Sequence, residues 1–218
     1  MDSLIPTLAI WALPVLLAIT LHEAAHGYVA RHFGDPTADL AGRITLNPLR
    51  HIDPVGTVLV PAGILALSAL AGSGGILFGW AKPVPVNFSR LRNPKADMLW
   101  VAAAGPFTNL VMAVMWSMLG SFAASSGGSY SLAMMKMADA GVQINAVLML
   151  LNLLPIPPLD GGRIAVSLLP DRLAWRYARL EPYGFPILLV LLFTGILGSI
   201  LWPMIALFRY ALASVFGF

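Results

Sequence analysis

Long uncharged apolar runs dominate this chain, and they predict helices that cross a membrane. Leu4 to Leu21 is the first, 18 residues without a charge. Its helix should continue to about Phe33, because Gly34-Asp35-Pro36 is a stop signal. Met98 to Leu119, Ala138 to Leu154 and Tyr183 to Leu207 read as three further spans. Residues 34–54 are polar, with turn residues at Asn47-Pro48 and Asp53-Pro54. The apolar run 55–71 is short and is broken by Gly-Ser-Gly-Gly at 72–75. Residues 76–88, ILFGWAKPVPVNF, alternate and read as an extended edge strand carrying Pro83 and Pro85. The pattern therefore predicts an all-α polytopic membrane protein, a single domain over residues 1–218. It should have about four full transmembrane helices plus a re-entrant region at 55–96 with a short β element.

Composition strengthens this reading. The chain of 218 residues is 58% hydrophobic and only 11% charged, and its mean hydropathy is +0.81. Soluble domains carry about 25% charged residues. The formal charge of +3 rests on few charges and does not point to nucleic acid; the placement of the cations matters more. If 55–96 enters and leaves the membrane on one side, 11 of the 13 Lys and Arg share that side, leaving Lys136 and Arg209 opposite. If 55–71 crosses once and stays across, the split is 8 against 5. The positive-inside rule favours the first arrangement, with the eleven in the cytoplasm. The tryptophans Trp11, Trp100, Trp116 and Trp202 should face lipid or the interface. Without cysteine, any metal must be held by His, Asp or Glu.

Polar chemistry concentrates at the end of the first span. His22-Glu23-Ala24-Ala25-His26 is HExxH, and on a helix residues i and i+4 share a face, so both imidazoles can reach one ion. Glu23 then sits beside the metal, where it can take a proton from water. Composition alone would produce this pattern in roughly 7 of 10,000 shuffled chains. Ionisable groups near the bilayer centre cost about 2.5–3.5 kcal/mol each, so a cluster there marks a functional site. His22 lies about 27 Å along the helix from Leu4, below the far surface of a hydrocarbon layer about 30 Å thick. The spacing suits zinc, which needs a third protein ligand. Among ten acidic residues Asp160 stands out. It follows the third span, after helix-breaking Pro155, Pro157 and Pro158, and Gly161-Gly162 allow close backbone approach. The alternative for Asp160 is an N-cap of a following helix. His32 reads as interfacial.

HEAAH, GPFTN at 105–109 and NLLPIPPLDGG at 152–162 together resemble the site-2 protease family of intramembrane zinc metalloproteases. LNPLRHIDPVGT and FGWAKPVPVN resemble its compact prokaryotic branch, without PDZ or CBS domains. The resemblance implies one Zn2+ per chain held by His22, His26 and Asp160, with Glu23 as general base. It also implies that Asn152 steadies the substrate carbonyl and that Asn109 faces the same cavity, although Asn109 has an ordinary reading as a helix–helix hydrogen bond. GWAKPVPVN would be a membrane re-entrant β element whose edge pairs with unwound substrate, Val84 and Val86 lying on it. The expected function is regulated intramembrane proteolysis of transmembrane protein substrates in a prokaryotic cytoplasmic membrane, with the active site towards the cytoplasm. Two other classes, a divalent-metal transporter and an inactive membrane adaptor, are separated from it by what Glu23→Gln does.

Overall fold

The computed structural model of the protein describes residues 4–59, 63 and 82–217. Its described residues are helical or irregular, with no strand among them. Among the described residues the α-helices with stated bounds run in chain order: α1 Leu4–His32, α2 Thr37–Leu40, α3 Pro94–Ser126, α4 Ser131–Asn152, α5 Asp160–Leu168, α6 Asp171–Ala178, α7 Glu181–Phe193 and α8 Ile196–Phe216. Four of them, α1, α3, α4 and α8, are long and apolar enough to cross a membrane. The chain is thus an integral multi-pass membrane protein.

The helix ends follow local chemistry. Pro94 opens α3, where its missing N–H costs nothing. Asp97 in the first turn accepts the Asn93 N–H at 2.7 Å and complements the positive end of the helix dipole. Gly127, at φ +59°, closes α3 in the left-handed region. The last expected span, Tyr183 to Leu207, is not one helix. Gly195 at φ +77° divides it into α7 and α8, and of these two only α8 is long enough to span.

α1 packs on α3 and α4, α3 on α4 and α5, and α4 on α8. Met112, Ala113 and Trp116 of α3 meet Ala138 and Val142 of α4 and Leu212 of α8. Trp116 departs from the expectation for the tryptophans: it is buried against Gly141, where a Cβ would lie 2.3 Å from its ring. Trp11, Trp100 and Trp202 are exposed, as expected.

The loop between α1 and α3 begins and ends at one end of the bundle. The Arg92 N–H donates to Phe33 O at 3.0 Å, and the Asn87 N–H to Asp35 Oδ2 at 2.6 Å. Lys82 N–H meets His51 O at 2.9 Å. At the same end Lys95 Nζ pairs with Asp171 at 2.6 Å, which holds that exposed carboxyl below the ordinary carboxylate range. Arg163 lies 5.0 Å over the Phe88 ring there. Contacts tie Arg43, Lys82, Arg92, Lys95 and Arg163 to this end, in keeping with the expected clustering of cations. Arg209 reaches Gln143 and Asp139, at 2.5 Å each.

The expected re-entrant region falls largely on residues 60–62 and 64–81, outside the described residues. The expected strand does so for 76–81. Over 82–87 the backbone has no ladder partner among the described residues. Its N–H groups go to a carboxylate or a loop carbonyl instead, and Phe88–Arg90 is a 3-10 turn. Period-two alternation survives: Val84 is buried and Val86 half-buried, while Pro83 and Pro85 are exposed.

The close contact at Gly141 gives a test. Gly141→Ala should lower stability by about 1–3 kcal/mol through overpacking against Trp116, seen as a lower midpoint of thermal unfolding in detergent. Gly128→Ala, with nothing within 4 Å, is the neutral control.

Candidate metal centre

The last three turns of α1 carry His22, Glu23 and His26. His22 and His26 are buried one turn apart and face α3. Their approach depends on Gly105, where a Cβ would lie 2.5 Å from His22 Cε1 and from His26 Nε2. Asp160 enters from α5. Between α4 and α5 the chain turns sharply through Leu153–Leu159, and Gly161 and Gly162 sit against that turn. A Cβ on Gly161 would lie 2.3 Å from Leu153 O, and one on Gly162 2.4 Å from Pro157 N. Any side chain at either position would push Asp160 away from the histidines. The N-cap position of α5 is Leu159 and Asp160 is the first helical residue, one position beyond the N-cap alternative.

Three atoms converge. His22 Nε2 and His26 Nε2 are 3.1 Å apart, and Asp160 Oδ2 is 3.3 Å from each. The far nitrogens settle what these atoms present. His26 Nδ1 lies 2.7 Å from Val101 O, a carbonyl that can only accept, so the proton sits on Nδ1. His22 Nδ1 lies 2.5 Å from Asn109 Oδ1. The Asn109 amide donates to Ala18 O at 3.3 Å and to Asn145 Oδ1 at 2.8 Å, and Asn145 donates to Gly141 O at 2.8 Å. Backbone carbonyls end this chain of bonds, which sets both amide orientations and puts the His22 proton on Nδ1 as well.

In the neutral form in which histidine binds a metal, both imidazoles turn a lone pair towards each other and towards a carboxylate oxygen. Asp160 Oδ2 is buried and has no hydrogen-bond partner of acceptable geometry. Three electron-rich atoms at this spacing repel unless a cation sits among them. A tetrahedral ion with bonds of about 2.0–2.1 Å sets its ligand atoms about 3.3 Å apart. The trio fits such an ion, and His22, His26 and Asp160 are the one group among the described residues able to hold a metal in this way.

Glu23 stands beside the trio and not in it. Its Oε2 accepts the Val84 N–H at 2.7 Å. Asn109 is fully buried and touches His22, so it occupies a supporting position and does not line an open cavity. Asn152, the last residue of α4, turns one amide N–H back to Leu148 O at 3.0 Å. His32 is exposed, edge-on to Phe33. His51 is buried in the α1–α3 loop with Nε2 3.1 Å from Thr45 O. Asn145 escaped the sequence reading, whereas the close helix approach at Gly105 follows from its place in GPFTN. Asn145 left a signal: it is an uncharged polar residue seven before Asn152, hence on nearly the same helix face, deep in an apolar run.

The family model described as peptidase family M50 matches residues 120–195. The chain is 38% identical over 222 residues to "Putative zinc metalloprotease YwhC" of Bacillus subtilis (strain 168), covering 98% of this chain and 92% of the relative. It is 33% identical over 181 residues to "Putative zinc metalloprotease Rip2" of Mycolicibacterium smegmatis, covering 82% of this chain and 64% of that protein. The protein of the same name from Mycobacterium tuberculosis (strain ATCC 25618 / H37Rv) is 28% identical over 172 residues, covering 78% and 56%. No solved structure matches. With a full-length relative at this identity and the family model on its α3–α7 region, the chain belongs to peptidase family M50, the site-2 proteases.

Proposed function

We propose that the chain is an intramembrane zinc endopeptidase that hydrolyses peptide bonds within or beside transmembrane segments of other membrane proteins. One observation carries this reading: three inward lone pairs of His22, His26 and Asp160 at 3.1–3.3 Å, with the Glu23 carboxylate next in sequence, inside a bundle of membrane-length helices. Nitrogen and carboxylate donors suit zinc, and the names of the relatives support the same metal. Zinc supplies Lewis acidity, which acidifies water and polarises a peptide carbonyl.

The rest falls to this chain's own groups. His22, His26 and Asp160 hold the ion. Glu23 takes the proton of the attacking water on a carboxylate oxygen and returns it to the leaving amine. Val101 O and Asn109 keep both imidazoles in the tautomer that offers Nε2. Asn152 donates an amide N–H to the carbonyl oxygen of the substrate as charge develops on it. This end of the bundle faces the cytoplasm; the cations tied to it support that orientation.

Detergent-purified protein should contain about one zinc per chain, and Asp160→Ala should lose most of it, as read by elemental analysis. Glu23→Gln should retain zinc while cleavage of a transmembrane peptide falls by about 10²–10⁴-fold. A transporter or adaptor would keep its behaviour in Glu23→Gln, and wild-type protein without zinc would end the hydrolase reading. Asn109→Ala should weaken zinc binding by about 10–100-fold, because it strands the His22 Nδ1 proton. Chelator competition on the folded protein measures that loss.

A further inference from the structure

Glu23 is held from outside its own helix. Its Oε2 accepts the N–H of Val84, a residue of the extended run Lys82–Asn87 far along the chain. Pro83 and Pro85 flank Val84 and have no N–H, so this amide is the one donor across those three residues. Their rings also hold φ near −65°, which leaves the segment little freedom to re-aim it.

What places this amide is Arg43. Its Nη2 donates to Lys82 O at 2.7 Å and to Pro83 O at 3.4 Å. The Lys82 N–H is anchored on His51 O at 2.9 Å. Val84 itself packs on α1 at Gly27, where a Cβ would lie 3.0 Å from Val84 Cγ1. Arg43 is buried, with 8% exposure, and pairs with no carboxylate among the described residues. Its Nε is buried with no partner among the described residues. A guanidinium placed this way is costly, and a loop needs no buried charge merely to stay folded. Its two carbonyl bonds straighten the backbone immediately before the amide that meets Glu23.

We propose that Arg43 is a positioning residue for Glu23, acting through the Lys82–Val84 backbone. The Val84 N–H occupies one carboxylate oxygen and leaves the other turned to take the proton. This deepens the reading of Glu23 as general base and rests on it. A loop displaced at 82–84 releases the carboxylate to other rotamers, so the state of this segment decides whether the base is aimed.

The test uses the full chain in detergent with a transmembrane peptide substrate, reading kcat, KM, zinc content and thermal midpoint. Arg43→Gln is expected to lower kcat at least tenfold with zinc at about one per chain and KM within twofold. Arg43→Lys, a point charge without the planar fork, should lose a comparable factor. Val84→Pro removes the N–H and should match Arg43→Gln, whereas Val84→Thr keeps the N–H and should recover at least half of the lost rate. Wild-type kcat in Arg43→Gln would overturn the inference. So would a rise in KM alone, which would make the segment a substrate contact, or zinc and stability falling in step with activity, which would make Arg43 a structural residue. If Val84→Pro does not fold, the two Arg43 variants decide alone. Full activity in Glu23→Gln would remove the underlying reading of the base; an inactive Glu23→Gln beside a fully active Arg43→Gln would remove this inference only.

Discussion

Two imidazole lone pairs and a carboxylate oxygen are held within 3.3 Å of one another in a buried place between apolar helices. With both imidazoles neutral, as metal ligands are, that arrangement is repulsive by itself, and the surrounding fold holds it in place. Gly105 brings α3 onto the histidines, and Gly161 and Gly162 press the start of α5 into the turn after α4. In a membrane interior, where water cannot screen the repulsion, a cation among these atoms removes it, and polar groups kept in apolar surroundings usually have such a task.

The support behind the histidines is as deliberate as the ligands. A line of hydrogen bonds runs from His22 through Asn109 and Asn145 to Gly141 O, crossing three helices. Asn109 and Asn145 each donate and accept within it, which helps a buried network to hold one geometry. The same line ties α1, α3 and α4 together, so packing of the bundle and the protonation pattern of His22 depend on each other. Gly141 takes part twice, through its carbonyl and through the space it leaves for Trp116.

Much of this was legible in the chain. HEAAH and Asp160 announced the trio, because few other side chains in so apolar a sequence can bind a metal, and the uncharged runs announced the spanning helices. The misses have physical reasons. The run Tyr183 to Leu207 looks continuous in hydropathy, yet Gly195 takes a backbone angle that ends the helix, a conformational fact that apolar counting ignores. Trp116 reads as interfacial by residue type, but the small residue opposite it on α4 lets it bury. The 82–87 run has the alternation of a strand; its N–H groups found side-chain and loop partners whose position only the tertiary fold supplies. Arg43 looked like one more cation on the basic side, since burial of a long side chain cannot be read from its neighbours in sequence.

The bond from Lys82 N–H to His51 O brings together the two stems of the excursion formed by residues 52–81. An excursion closed at its neck is thermodynamically insulated from its own length: doubling it costs only about 0.6 kcal/mol in closure entropy. The neck is a natural graft point, where chain can be added or exchanged while the zinc-binding end keeps its shape.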